Sequence, residues 1–247
     1  MKKLTMIRQM TAFLLAAALV AALTAVPTLA NSSIVISQVY GGGGNAAATY
    51  TNDYVELFNR GSAPVSLAGW SLQYASDTGT GNFGEATNFL TPLSGTLLPG
   101  QYFLVQEAQY TVATPNLPTP DITDTTPINI SATGGKIAIV SSLTPLGGNG
   151  GSTPIPNPDQ IVDLVGWGSA NYFEGAAGPA TSNTTALFRL GGGLVDTDNN
   201  SADFVTRAPN PRNSSSPLNL VPIPGAVCLL GSGLMGLGLL GLRRKQG

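Results

Sequence analysis

The chain has 247 residues, few charged side chains, no histidine, one cysteine, 31 glycines and 18 prolines. The lack of histidine excludes Ser-His-Asp and Cys-His nucleophile systems and the usual zinc sites, and a single cysteine excludes an internal disulfide. So many turn formers favour one all-β domain, which must be stable through its core alone.

The charge differs between the ends and the middle of the chain. Six of the eleven basic residues lie in residues 1–8 and 243–247, whereas all thirteen acidic residues lie between Asp53 and Asp203. The middle therefore holds five basic and thirteen acidic residues, a formal charge of −8, and should repel polyanions. Direct binding of nucleic acid is not expected, because phosphate contacts need a basic surface.

Residues 1–30 have the layout of a secretory signal peptide. A basic start is followed by an apolar run at 12–26, by Pro27, and by small residues that allow a cut after Ala30. An uncleaved anchor helix is the alternative, but the run is short and ends at a proline. We expect a helical signal segment and a mature chain that begins near Asn31.

Residues 31–213 are predicted to form a β-sandwich from their alternation of apolar and polar side chains. In the predicted strand 54–58, Val55 and Leu57 lie on one side and Glu56 on the other, the pattern of a half-buried strand. The same reasoning predicts strands at 34–40, 70–74, 102–106, 128–130, 136–140, 161–167 and 185–190.

The alternation also predicts which side chains share a face in the later strands. In 161–167, Asp163 lies on the face of Val165 and Trp167, and the near-continuous apolar run predicts a central strand. In 185–190, Arg189 lies on the face of Leu187.

The C-terminal part is predicted to change from spacer to membrane span. Residues 208–219 have the composition of an unfolded spacer, and 214–221 are interpreted as a linker. The apolar run 226–242, about 17 residues at about 1.5 Å each, predicts a transmembrane helix of about 25 Å, enough for a thin bilayer. The basic cluster Arg243, Arg244 and Lys245 should stay cytoplasmic, which leaves the acidic domain outside.

No catalytic residue is predicted. Without histidine, the remaining option is a pair of carboxylates, but Asp53 and Glu56 are three positions apart on one strand and point to opposite faces. The sequence is therefore interpreted as non-enzymatic.

One cluster has the spacing of metal ligands. Asp196, Asp198 and Asn200, with Asp203 nearby, offer the oxygen ligands that Ca²⁺ prefers. The loop is not a full EF-hand, because Ser201 replaces the usual glycine and Arg207 the usual glutamate. The alternative is an Asp/Asn-rich turn that bonds its own backbone. No other cofactor is expected.

Loop aromatics offer a possible contact for sugar rings. Such side chains can stack on glycans, or they can cap the ends of the core. The six concerned are Tyr50, Phe83, Phe89, Tyr110, Tyr172 and Phe173.

Nearly the whole mature domain resembles the lamin-tail domain family. The segments that carry this resemblance are 34–40 (IVISQVY), 53–59 (DYVELFN), 65–70 (VSLAGW), 98–102 (LPGQY) and 162–167 (VDLVGW). The resemblance implies an immunoglobulin-like sandwich of the lamin-tail type that binds or scaffolds rather than catalyses. Bacterial relatives often sit beside a hydrolase domain of the endonuclease/exonuclease/phosphatase type, and no such domain fits here.

Residues 222–247 resemble the PEP-CTERM sorting tail of Gram-negative bacteria that make extracellular polysaccharide. Pro222 and Pro224 flank Ile223, which stands where the name-giving acidic residue would be, so the tail is similar to the V-P-x-P variant. The resemblance implies recognition by an exosortase and removal of the tail at the inner membrane. A plain anchor that is never processed is the alternative.

These features together predict an exported surface or matrix protein, with exopolysaccharide as its candidate partner. The rival hypotheses are an accessory module for extracellular nucleic-acid or phosphoester processing, and Ca²⁺-dependent glycan binding.

Overall fold

A computed structural model describes residues 33–110 and 114–219. Within them nearly all of the regular secondary structure is β-strand, and long loops join the strands. The strands are β1 (Ile34–Tyr40), β2 (Asn52–Asn59), β3 (Val65–Ser66), β4 (Ser71–Ala75), β5 (Leu90–Pro92), β6 (Thr96–Leu97), β7 (Tyr102–Gln109), β8 (Ile122–Thr123), β9 (Gly135–Val140), β10 (Ile161–Trp167), β11 (Ala186–Arg189) and β12 (Phe204–Arg207). One α-helical turn, Asn200–Asp203, precedes β12. Three short 3-10 turns lie at Thr87–Phe89, Pro158–Gln160 and Leu190–Gly192.

Two sheets pack face to face as a β-sandwich. One has six strands in the order β12-β11-β1-β2-β7-β8, and the other has four in the order β10-β9-β4-β5. A third, two-stranded sheet joins β3 to β6. The pairings are antiparallel except for β7 with β8. The all-β prediction is therefore confirmed, and most predicted strands are present within a residue or two of their predicted ends.

The main core lies between the two larger sheets. It combines Val55 and Leu57 of β2 with Leu72 of β4, Ile137 of β9 and Val165 of β10. Alternate side chains of each strand point into this layer, as the period of a strand requires.

The outer face of the six-stranded sheet is also buried. Tyr40, Tyr54 and Leu104 form one apolar cluster there, and Phe58 packs on Tyr102 with ring centroids 4.9 Å apart. The half-buried prediction for β2 is therefore wrong, because all eight of its residues are buried.

Residues 208–219, which are predicted to be an unfolded spacer, cover part of this outer face. Asn210 accepts a hydrogen bond from Gln38 at 2.8 Å, and Arg212 pairs with Glu56 at 2.7 Å. Ser214 donates from its backbone to Asp121 at 3.0 Å. The spacer prediction is wrong for the described residues 208–219, whose backbone groups and side chains form hydrogen bonds with the sheet and its loops.

Two strand predictions also need correction. Residues 128–130 do not form a strand, because their backbone N–H groups bind side-chain carboxylates. β10 is an edge strand of its sheet, although its apolar run predicted a central one. The edge is covered by Asn200, which accepts from the Gly166 N–H at 2.9 Å and donates to the Leu164 carbonyl at 3.0 Å, as a neighbouring strand would.

Within residues 33–110 and 114–219, no helix is long and apolar enough to cross a membrane. The predicted signal segment 1–30 with its cut after Ala30, the predicted transmembrane helix 226–242 and the sorting-tail residues lie outside the described residues. These remain predictions.

Candidate functional site: buried ion clusters of the sandwich

Two β-bulges bring opposite charges together between the sheets. β10 changes register between Ile161 and Asp163, and β1 changes register between Ile36 and Gln38. A bulge re-aims the neighbouring side chains and leaves backbone groups without a strand partner. Asp163 and the backbone of Ile36 thus face each other across the core.

Arg189 of β11 fills the space between them. Its Nη2 lies 2.8 and 2.9 Å from the two carboxylate oxygens of Asp163, and its Nε donates to the Ile36 carbonyl at 2.8 Å. The Ile36 N–H donates to Asp163 at 2.7 Å. The loop after β11 adds Asp196, 2.9 Å from Nη1, and the helical turn adds Asp203 at 3.6 Å.

This Arg189 cluster, defined as Arg189 with Asp163, Asp196 and Asp203, ties the four-stranded sheet to the six-stranded sheet. The Arg189 side chain is fully buried, and its guanidinium lies 4.5 Å from the Phe204 ring centroid. A buried charge is tolerated only when it is paired and its hydrogen bonds are satisfied, and the cluster meets both conditions.

Burial and charge set the protonation of the cluster. Burial raises the pKa of Asp163, although the Arg189 charge opposes the change. Glu174 lies beside the cluster, and burial followed by the Asp163 charge raises its pKa to about 8. For Arg189, burial acts to lower the pKa, but Asp163 and Asp196 outweigh it and the pKa is raised. Arg189 therefore remains charged in the core.

Three of the four predicted Ca²⁺ ligands, Asp196, Asn200 and Asp203, bind groups of the protein. Asp196 binds Arg60 at 2.7 Å as well as Arg189, and Asp203 accepts from the Thr197 backbone and hydroxyl at 2.8 and 2.7 Å. Asn200 covers the edge of β10, and Asp198 is exposed with a positive φ of 54°.

These contacts favour the alternative to the Ca²⁺ prediction, a turn that bonds its own backbone. The side chain of Asn199 accepts from the Ala202 N–H, which caps the helical turn. In the part of the chain that the structure describes, one group of three carboxylates has oxygens within 4.8 Å of one another, namely Asp163, Glu174 and Asp196. It does not fit Ca²⁺, because the guanidinium of Arg189 already binds two of the three.

Two further buried carboxylates, Asp53 and Glu107, form no ion pair with the described residues. Asp53 accepts from the N–H groups of Gly43 and Ile130 at 2.8 and 3.0 Å. Glu107 accepts through Oε2 from the Ile128 N–H at 2.7 Å and from the Thr91 hydroxyl at 3.1 Å. Oε1 of Glu107 has no hydrogen-bond partner among the described residues. This Glu107 pair, Glu107 and Asp53, holds residues 128–130 in place of strand pairing.

The pKa values of Glu107 and Asp53 reflect burial without a cationic partner. Burial raises the pKa of Glu107 to about 8 and raises the pKa of Asp53 well above its ordinary range, although backbone N–H groups oppose both changes. A carboxyl that titrates near 8 is largely protonated at neutral pH, which removes most of the cost of burying it.

Glu56 lies on the outer face of β2, away from the core side chains. It accepts from the backbone N–H of Arg212 at 2.7 Å and from its guanidinium at 2.7 and 3.1 Å, while Gln38 donates to it at 2.8 Å. Asp53 and Glu56 therefore do not share partners. Asp53 binds the N–H groups of Gly43 and Ile130, whereas Glu56 binds Arg212 and Gln38.

The loop aromatics mostly cap apolar clusters. Phe83 is fully buried, and Tyr172 packs on it with centroids 6.5 Å apart. Tyr50 packs edge-on against Tyr40. Phe89 and Phe173 are partly buried, and Tyr110 is 45% exposed. Of the two alternatives, Phe83 follows the capping one, because its fully buried ring is not available to a sugar.

Sequence reasoning did not identify the Arg189 cluster, although a signal was present. Asp163 and Arg189 were each predicted on the same face as core residues, Val165 and Leu187 respectively. Two opposite charges on two core faces predict a buried pair. The Glu107 pair carried no such signal, because its partners are backbone groups of a loop.

Comparisons with known proteins were made for the whole chain. The family model described as Lamin Tail Domain matches residues 27–197 and ends before β12. One similar solved structure is that of a DUF4876 family protein from Bacteroides thetaiotaomicron, at 14% identity and a TM-score of 0.40, covering 79% of this chain and 73% of that one. No curated protein matches.

Proposed function

The chain belongs to the lamin tail domain family, and from that premise we propose that it is a non-enzymatic, exported surface or matrix protein. It binds or scaffolds through an immunoglobulin-like form of the sandwich. Family membership supports a binding role over turnover, since the lamin tail family is generally non-enzymatic.

The observation that carries the proposal is the engagement of the buried carboxylates in structural contacts. Asp163 binds a guanidinium and a backbone N–H, Asp53 binds two N–H groups, and Glu107 is enclosed in the core. A general base or nucleophile must reach a substrate with a free functional atom. These carboxylates stabilise a rigid scaffold, and a rigid scaffold suits presentation of a binding surface.

The proposed route to the surface rests on the two ends of the sequence. The signal segment directs export, and the tail from Pro222 onward is recognised by an exosortase in the inner membrane of a Gram-negative bacterium. Cell fractionation with intact-mass measurement tests this route. We expect a chain that begins near Asn31, lacks the tail and is found outside the inner membrane. A full-length chain in the cytosol would overturn it.

The proposed partner is exopolysaccharide. The test is retention of the full-length chain, solubilised in mild detergent, on immobilised polysaccharide from the producing organism. We expect retention that survives chelation of divalent cations, because three of the four predicted Ca²⁺ ligands bind groups of the protein. No retention would remove the polysaccharide from the proposal, and retention lost on chelation would favour Ca²⁺-dependent glycan binding.

The same experiment with DNA in place of polysaccharide addresses the role in nucleic-acid processing. The middle of the chain has a formal charge of −8, and phosphate contacts need a basic surface. We expect no retention of the chain on DNA at neutral pH and moderate salt. Salt-dependent retention would favour the accessory role.

A further inference from the structure

A small pocket opens on the outer face of the six-stranded sheet, beside its edge strand β12. Its volume is about 180 Å³. Pockets for drug-sized ligands measure about 300–1,000 Å³, so this one suits a single small group such as one sugar ring. Its lining residues include Phe188, Gly191, Gly192, Arg207, Asn210 and Arg212.

The strand register places an aromatic ring and a cation on the same wall. In the β11–β12 pair, Phe188 lies opposite Val205 and Ala186 lies opposite Arg207. Because alternate side chains share a face, Val205 and Arg207 lie on the outer face with Phe188, while Phe204 points into the core. Phe188 is only partly buried and Arg207 is exposed.

Arg207 supplies the uncompensated charge of this pocket. Arg189 is balanced by the carboxylates of its cluster, and Arg212 is balanced by Glu56. No carboxylate in residues 33–110 and 114–219 lies within 4.0 Å of the Arg207 guanidinium. The pocket is therefore a local positive site on an acidic domain.

Arg212 is held in a position where it can add a second contact. Its guanidinium lies 3.6 Å from the Tyr102 ring centroid, and its Nε and Nη2 both donate to Glu56. These contacts fix the guanidinium plane and leave its Nη1 on the side of Gly192. The amide of Asn210 adds hydrogen-bonding capacity suited to a hydroxyl.

We propose that this pocket binds a sugar residue that carries one carboxylate, with Arg207 binding the carboxylate and Phe188 packing against the ring. The sugar part of the proposal rests on the proposed surface function, while the anion part rests on the pocket alone. The ligand is one acidic residue in an otherwise neutral glycan, because the charge of −8 on the middle of the chain disfavours a densely charged polymer.

The test is calorimetric titration of the full-length chain in detergent with glucuronate, glucose and inorganic phosphate. Glucuronate should bind, whereas glucose should bind at least about tenfold more weakly, as expected when one charge-assisted hydrogen bond is lost. Arg207→Gln should weaken glucuronate binding by about tenfold or more, and Arg207→Lys by less, because lysine keeps the charge but not the planar fork.

Gln109→Glu is the matched control. It makes the same change in net charge as Arg207→Gln at an exposed position at the end of β7, and it should leave glucuronate binding within about twofold, since long-range charge effects are screened by salt. Equal glucuronate binding by wild type and Arg207→Gln would overturn the pocket, while retention on polysaccharide would still uphold the proposed function. Phosphate binding as tight as glucuronate binding would overturn the sugar assignment.

Discussion

The Arg189 cluster and the Glu107 pair both bury carboxylates, but they differ in the groups that bind those carboxylates. Both place carboxylates in the core, where an isolated charge is costly. In the first, the guanidinium of Arg189 compensates Asp163 and Asp196. In the second, Glu107 has only N–H and hydroxyl donors, and its pKa rises to about 8. The comparison teaches that the partner matters: burial raises the carboxyl pKa in both places, and a guanidinium opposes that change only in the Arg189 cluster.

Removing the Arg189 guanidinium should produce the largest effect on the free energy of unfolding. Arg189→Ala leaves Asp163 buried without its partner, and breaking a buried pair on one side costs about 3–5 kcal/mol. Urea unfolding followed by the fluorescence of the buried Trp167 measures the loss. Arg207→Ala is the control, because it removes an exposed arginine and should change stability by no more than about 0.5 kcal/mol. A loss below about 1 kcal/mol for Arg189→Ala would show that the cluster does not hold the sheets together.

The Glu107 pair should make stability depend on pH. The pKa of Glu107 is raised from an ordinary 4.5 to about 8 in the folded state. Between pH 4.5 and 8 the folded state therefore holds a proton that the unfolded state releases. The free energy of unfolding should fall by on the order of a few kcal/mol as the pH rises through this range. Glu174, with its pKa also raised to about 8, contributes in the same direction.

Glu107→Gln sharpens this comparison, because the amide cannot ionise. Its stability should fall less steeply with pH than that of the wild type, and it should exceed the wild type above pH 8. Thermal unfolding across this range measures both. Glu85→Gln, at an exposed glutamate, serves as the control and should keep the wild-type slope. Equal slopes for Glu107→Gln and wild type would contradict the assignment of the proton to Glu107.

The Glu56–Arg212 pair lies between the two extremes, with Glu56 buried and the Arg212 side chain 24% exposed. Arg212→Ala should destabilise the protein by about 2 kcal/mol, since it leaves a buried carboxylate with fewer donors. It should also release residues 208–219 from the sheet, which hydrogen exchange would detect as faster exchange there. Unchanged exchange in that segment would mean that other contacts hold it.

The smallest effect is expected at Asp198. Because its side chain is exposed, Asp198→Asn should alter stability by no more than about 0.5 kcal/mol. Millimolar Ca²⁺ should not raise the melting temperature of either form, since a ligand stabilises only a protein that binds it. A Ca²⁺-dependent rise in the wild type that is absent from Asp198→Asn would restore the Ca²⁺ site.

Local alternation was enough to predict most of the sheet. β1, β2, β7 and β9 were visible because their core residues recur at every second position. Residues 128–130 were wrongly predicted as a strand, because Ile128 and Ile130 are buried as in a strand while their N–H groups bind Glu107 and Asp53. Those partners lie 21 and 77 residues away, beyond the reach of a local pattern.

Composition likewise did not predict that residues 208–219 pack on the sheet. Proline and serine predict a solvated spacer, and only the approach of Glu56, 156 residues earlier, gives Arg212 a partner. The Ca²⁺ prediction had a related blind spot. Asp196, Asp198 and Asn200 have the spacing of metal ligands, but that spacing does not reveal that Arg60, just after β2, and Arg189 of β11 bind Asp196.

The central claim is that this domain binds polysaccharide outside the cell without catalysis. Its most direct test is to treat intact producing cells with a lyase that degrades their exopolysaccharide and to measure the protein in the supernatant. The account predicts that the mature chain is released together with polysaccharide fragments while the cells remain intact. A chain that stays with the cells after the polysaccharide has been removed would contradict it.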